Sequence, residues 1–195
     1  MKKLNGKLNK FNLAVFISGR GSNLRSIINF SSKKNSIYRV KLVISNNINA
    51  KGLELAKKKN IKNYVIDFTK SRSLSIKILS KLKKENIKLI CLAGFMKILP
   101  EYFIRLYKGK IINIHPSLLP KYKGLKTHER VILNKEKFTG CTVHYVNRYL
   151  DSGKIILQKK IRVNKNDTPA SIGSKVLKEE HKIYHKAIVK ILSNL

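Results

Sequence analysis

At 195 residues with 43% hydrophobic content, the chain has the size of one ordinary globular domain and too many apolar residues for a disordered one. Its formal net charge of +33 invites a nucleic-acid reading, but the lysines are dispersed, as in Lys33-Lys34, Lys57–Lys59, Lys83-Lys84 and Lys159-Lys160, with no stripe of interleaved aromatics. Two cysteines fifty residues apart speak against a zinc site or disulfide framework, and the first apolar run, Leu13–Ile17, is too short for a signal or membrane segment.

Residues 1–10 carry lysines without an apolar core behind them and read as a loose N-terminal extension. Leu13–Ile17 reads as a short buried strand, followed by Ser18-Gly19-Arg20-Gly21-Ser22-Asn23 and a helix with Leu24, Ile27 and Ile28 on one face. A strand, a glycine turn and a helix in that order build an anion site. The first helical N–H groups have no partner within the helix, and glycine lets the backbone approach a phosphate. Leu24 stands where a dinucleotide fingerprint has its third glycine, and Ser45-Asn46-Asn47 where it needs an acid. The expected ligand is therefore a phosphate on something smaller than a dinucleotide. Tyr38–Ser45 follows as a strand, Lys51–Asn60 as a basic helix and Asn63–Ile66 as a strand. Ser71–Glu85 has Leu74, Ile78, Leu79 and Leu82 at helical spacing. Leu89–Ala93 is a continuous apolar run, as in central parallel strands, ending at Gly94-Phe95-Met96. Pro100 then opens a helix to about Tyr107.

The next strand lies within Ile111–Pro120 and carries the chemistry. Side chains two apart on a strand share a face, so Asn113 and His115 stand side by side. Pro116 cannot donate to a sheet ladder and stops the strand there. In open α/β sheets, ligands bind outside that end of the strands. Lys121–Lys126 reads as a loop, and Thr127 is expected to cap a short helix through Asn134. Thr142–Val146 and Ile155–Arg162 should pair antiparallel across a loop holding Asp151-Ser152-Gly153, and Pro169 opens a helix to about Leu192. The whole reads as one α/β domain over 1–195: a Rossmann-like, mostly parallel twisted sheet flanked by helices, with an antiparallel strand pair towards the C-terminal half. Of the three aspartates, Asp67 and Asp167 read as turn and capping residues, which leaves Asp151. Asn113, His115 and Asp151 together have the groups to stabilise an oxyanion and move protons in an acyl transfer to an amine. No Ser or Cys sits in a nucleophile elbow, so direct transfer is expected; spacing alone does not show that Asp151 reaches His115.

Several blocks resemble the phosphoribosylglycinamide formyltransferase family. They are Ser18–Leu24, Ala93-Gly94-Phe95-Met96, Asn113-Ile114-His115-Pro116-Ser117-Leu118-Leu119-Pro120, Gly140-Cys141-Thr142-Val143-His144, Leu150-Asp151-Ser152-Gly153 and Glu180-His181-x-x-Tyr184. They fall in the family's order across about residues 11–192. The resemblance implies the formyltransferase fold. It implies transfer of a formyl group from 10-formyltetrahydrofolate to the amine of 5-phosphoribosylglycinamide in de novo purine (IMP) synthesis, with the folate as co-substrate and no metal. By the same resemblance, Asn113 and protonated His115 hold the oxyanion, while Asp151 keeps His115 charged and, through water, moves a proton. Gly21, Ser22 and Asn23 would cradle the ribose phosphate and Glu180 would receive the substrate's amino end. Met96, Lys97, Ile98 and Leu99 would line the pterin pocket, with Arg72 near the glutamate tail and Asn147–Asp151 closing over the pterin.

The chain departs from the family pattern at Lys97, where Arg is frequent, and in the loop at Lys123 and Lys126. Leu177 stands where a polar phosphate ligand is common, which points to Lys175 or Lys178 as its substitute. His144 lies on a strand near the site and is expected either to support it or to pack. His128, His181 and His185 are expected as helix-surface or packing residues, and Cys91 and Cys141 as small core hydrophobes. Three rival readings exist: a methionyl-tRNA formyltransferase, which normally adds a C-terminal tRNA-binding domain; a formyltetrahydrofolate hydrolase, which usually adds an N-terminal regulatory domain; and a basic nucleic-acid-binding module, which has no chemical reason to keep Asn113, His115 and Asp151 together. The expected partners are the two small-molecule substrates, with no specific nucleic acid and no membrane, the oligomeric state left open and the cytoplasm as compartment.

Overall fold

The computed structural model describes residues 10–68 and 72–195. The N-terminal extension through residue 9, and Ser71 at the expected start of a helix, lie outside the described residues. The first half of the chain forms β1 (Phe11–Ile17), α1 (Ser22–Ser31), β2 (Tyr38–Ser45), α2 (Lys51–Lys58), β3 (Lys62–Val65), α3 (Arg72–Lys84), β4 (Ile87–Leu92) and α4 (Glu101–Leu106). The second half forms β5 (Lys110–His115), α5 (Thr127–Leu133), β6 (Phe138–Tyr145), β7 (Ile155–Arg162) and α6 (Pro169–Leu192). The strands follow the order β3-β2-β1-β4-β5-β6-β7 in one sheet. β1–β2, β1–β4 and β2–β3 pair parallel, whereas β5–β6 and β6–β7 pair antiparallel. This is the mostly parallel α/β architecture that the strand–helix alternation predicts, with β5 joining the antiparallel set beyond the expected β6–β7 pair.

The chain divides into two compact units, one ending at Ile111 and including Val189–Leu195, the other spanning Ile112–Ile188. In the first unit Leu13–Ile17, Leu42–Ile44 and Leu89–Cys91 have no exposed surface. Strands covered on both faces need such unbroken apolar runs, and helices connect them. Phe16, Phe68, Phe95 and Phe103 form an aromatic cluster, with Phe68 and Phe103 edge to face at 5.2 Å. β1 and β4 each start two residues earlier than the apolar pattern suggests, because ladder bonds belong to the backbone and polar side chains at strand starts find their own partners. The Asn12 amide, for example, donates to the Glu85 carbonyl at 2.6 Å and accepts from Arg39 at 2.7 Å. α2 ends at Lys58 rather than Asn60, whose backbone is left-handed at φ 52° and turns the chain out of the helix.

In the second unit, β6 begins at Phe138, four residues before the expected Thr142. Thr127 does not cap α5: it is the buried first helical residue, and Lys126 holds the cap position in a left-handed conformation without a side-chain bond. α6 buries Ile172, Val176, Ile183, Tyr184, Ala187 and Ile188, and the Tyr184 hydroxyl donates to the Ile112 carbonyl at 3.3 Å. Both cysteines are fully buried core residues, as expected. Among the described residues no helix is long and apolar enough to cross a membrane.

Asp167 organises the start of α6. Its carboxylate pairs with the Lys175 ammonium at 2.6 and 2.7 Å and accepts from the Asn164 N–H and the Ser171 hydroxyl. These partners, Lys175 first, hold the carboxyl at about 2 against the ordinary 3.8. A depressed folded-state value means that this contribution is present above the unfolded value and is lost as pH falls through the range from about 4 to about 2. Urea unfolding as a function of pH should therefore show a smaller loss of stability over that range for Asp167→Asn than for the unaltered chain. Identical slopes would contradict the pairing.

Candidate active site

β5 runs into Pro116 and stops, leaving Asn113 and His115 on one face of its end. Across the antiparallel ladder Asn113 stands opposite His144, and His115 opposite Thr142. Asp151 arrives from the β6–β7 loop, which is closed by the Tyr145 N–H donating to the Lys154 carbonyl at 2.9 Å. Gly153 makes that closure possible, since a Cβ there would lie 1.7 Å from the Tyr145 carbonyl oxygen. Asp151 itself is left-handed at φ 46°, and its carboxylate turns back to the strand end. Its Oδ2 lies 3.3 Å from His115 Nδ1 and accepts the Gly124 N–H at 2.9 Å. Its Oδ1 lies 3.5 Å from Asn113 Nδ2 and 3.7 Å from His144 Nε2. The contact between Asp151 and His115 that spacing left open is thus made.

The other ring nitrogen of His115, Nε2, is 2.8 Å from the Tyr122 carbonyl. Both nitrogens face acceptors, an arrangement in which both donate only when the ring is doubly protonated. The two side chains are 7% and 8% exposed, so solvent screens their attraction weakly. The loop holding Tyr122 and Gly124 is braced from several sides. Arg130 donates to the Lys123 carbonyl and lies over the Tyr122 ring, Lys123 reaches the Ser152 hydroxyl, and the Tyr122 hydroxyl donates to Glu136. The turn after Pro116 is pinned by Thr142, whose hydroxyl donates to the Ser117 carbonyl and accepts from the Leu119 N–H and from Gln158. Sequence reasoning missed Tyr122, Gly124 and Thr142. The first two act through backbone groups, which leave no side-chain signature.

The first unit gathers a second set of residues at the ends of β1, β2 and β4. Ser18 hydrogen-bonds Asn46, accepts the Met96 N–H at 2.7 Å and donates its own N–H to the Gly94 carbonyl. Gly21 stands at the cap position of α1 with φ 78°, and no side chain caps the helix there. Ser22 and Asn23 open the helix directly after it. Met96, Lys97 and Ile98 are exposed on the loop after β4, while Leu99 is buried. Arg72 is exposed at the start of α3 with its guanidinium over the Tyr102 ring.

The remaining expected positions lie in the second unit. Glu180 is a buried carboxylate on α6; after burial itself, its charge is the next cause that pushes the Cys141 thiol up to about 12. Asn147 is exposed and accepts the Tyr149 N–H within its own loop. Of the two lysines beside Leu177, Lys175 pairs with Asp167 and Lys178 is exposed. His128 and His181 are half-buried, and burial lowers the pKa of both imidazoles below the usual range, as suits packing residues. His144 is drawn into the cluster itself.

Fold and site together define the class: an α/β domain whose strand end presents an amide, an imidazole and a carboxylate. The chain belongs to the formyl transferase family, whose model matches residues 11–188. It is 39% identical over 177 residues to the phosphoribosylglycinamide formyltransferase of Escherichia coli (strain K12), covering 89% of this chain and 83% of that one. It is also 39% identical over 195 residues to the trifunctional purine biosynthetic protein adenosine-3 of Gallus gallus, covering 97% of this chain. The chain spans 19% of that relative's length. Among solved structures, phosphoribosylglycinamide formyltransferase from Anaplasma phagocytophilum matches with a TM-score of 0.88 at 41% identity, over 94% of this chain and 87% of that one.

The two glycines of the β1–α1 turn should respond differently to a methyl group. A Cβ at Gly21 would sit 2.8 Å from the Gly52 Cα on a left-handed backbone, whereas one at Gly19 meets nothing within 4 Å. Gly21→Ala should lower stability by about 1–3 kcal/mol and Gly19→Ala by no more than about 0.5 kcal/mol, read from urea unfolding. Equal losses would contradict this account of the turn.

Proposed function

We propose that this chain, as a single formyltransferase domain, transfers the formyl group of 10-formyltetrahydrofolate to the primary amine of 5-phosphoribosylglycinamide in purine synthesis. The observation that carries the reading is the buried contact of His115 and Asp151 beside Asn113, in a chain of the formyl transferase family. The amine nitrogen attacks the formyl carbon, a C–N bond forms, and the carbonyl electron pair moves onto oxygen. Asn113 Nδ2–H and a His115 N–H donate to that oxyanion, and since Nε2 now faces the Tyr122 carbonyl, the oxyanion takes the place of that acceptor. Asp151 orients the ring through its contact with Nδ1 and, through water, takes the proton that the attacking nitrogen sheds. Collapse of the oxyanion breaks the bond to the folate nitrogen, which leaves with a proton. No covalent enzyme intermediate is required.

In this reading Gly21, Ser22 and Asn23 receive the ribose phosphate and Glu180 the amino end of the substrate. The folate takes Met96, Lys97, Ile98 and Leu99, with Arg72 towards its glutamate carboxylates and Asn147–Asp151 over the pterin. Both substrates are anions, and the net charge of +33 favours their approach. Free buried cysteines suit a reducing cytoplasm.

Offering 10-formyltetrahydrofolate together with phosphoribosylglycinamide, charged methionyl-tRNA or water alone tests the choice of acceptor. Formylation of the glycinamide amine is expected; preferential formylation of the tRNA, or formate release alone, would overturn it. Asp151→Asn should lower turnover by roughly two to four orders of magnitude, with substrate affinities and melting temperature little changed. Near-normal turnover in that variant would remove Asp151 from the mechanism.

A further inference from the structure

We infer that His144 is a positioning residue: its imidazole, held as the Nδ1–H tautomer, accepts one N–H of the Asn113 amide and so aims the other at the reacting oxygen. The inference rests on the formyl-transfer reading above. His144 on β6 stands directly opposite Asn113 on β5, and directly opposed residues of an antiparallel pair project from the same face at close range. The imidazole is 3% exposed, so its ring nitrogens find their partners within the protein. Nδ1 lies 2.9 Å from the Tyr145 carbonyl, which can only accept, and this places the ring proton on Nδ1.

The state of the other nitrogen follows. Burial, the largest influence, holds the His144 pKa below the usual histidine range; the Tyr145 carbonyl and Asp151 oppose that shift and His115 adds to it. At neutral pH the ring is therefore uncharged, and Nε2 presents a bare lone pair. The Asn113 amide lies 3.2 Å from it. A lone pair accepts only from a donor, so the amide must turn Nδ2 towards His144 and cannot offer its oxygen there. The second Nδ2 hydrogen faces the Asp151 carboxylate at 3.5 Å, the outer limit of a hydrogen bond, and is readily exchanged for a stronger acceptor. Without His144 the amide is free to rotate by half a turn and face the developing oxyanion with its carbonyl oxygen, which turns a donor into a repelling dipole.

Two substitutions separate positioning from packing. His144→Gln can carry an amide oxygen to the place of Nε2 and keep an acceptor for Asn113, whereas His144→Phe keeps a planar ring and removes it. The Phe variant should lose about 10- to 100-fold in kcat with KM for both substrates within about threefold, and the Gln variant should stay within about fivefold of the unaltered enzyme. Equal losses in the two variants, or a loss carried by KM, would overturn the assignment. Nitrogen-15 NMR of the unaltered protein at pH 7 needs no variant and no turnover. It should show a protonated Nδ1 and an unprotonated Nε2 for His144, and the opposite tautomer or a charged ring would overturn the assignment. Failure of the function itself is read elsewhere, in the absence of formyl transfer by the unaltered enzyme.

Discussion

The site depends on one buried contact, the Asp151 carboxylate against the His115 imidazole at 3.3 Å. A carboxylate withdrawn from water must be met by donors, and Asp151 receives the His115 ring and the Gly124 N–H on one oxygen, with the Asn113 amide near the other. The imidazole in turn is held between that carboxylate and the Tyr122 carbonyl, which fixes its plane. Each partner is delivered by a separate backbone device: a strand stopped by Pro116, a loop closed over Gly153, a left-handed residue at Asp151 itself, and a turn pinned to Thr142. Losing any of them would leave a buried charge without its partner, which is why so much local structure converges on two side chains.

The first unit supplies a different kind of chemistry. Its β1–α1 turn has little side-chain character, and its shape is set by the left-handed Gly21 at the start of α1. The strand ends around it are tied together through Ser18, which bonds both Asn46 and the Met96 N–H. The acidic residue that a dinucleotide site needs at the end of the second strand is replaced here by Asn46, which braces the turn through Ser18.

Much of this was legible in the residues, and for identifiable reasons. Apolar runs reported the parallel strands because burial on both faces demands them, and the spacing of Asn113 and His115 before Pro116 reported a shared face because strand geometry has period two. What failed to show were features that depend on tertiary approach. The reach of Asp151 is set by the close packing of Gly153 on Tyr145, the cap of α5 by a left-handed Lys126 rather than by Thr127, and the unavailability of Lys175 by its ion pair with Asp167. The Tyr122 carbonyl and Gly124 N–H were invisible because any residue carries them.

The central claim is that this cluster passes a formyl group directly between two bound substrates. Single-turnover rapid quench with carbon-13-labelled formyl folate and phosphoribosylglycinamide tests it most directly. The account predicts that the label moves in one step from the folate to the glycinamide nitrogen, at the rate at which the folate is consumed, with none on the protein. Label appearing first on the protein, or leaving as formate at that rate, would contradict it.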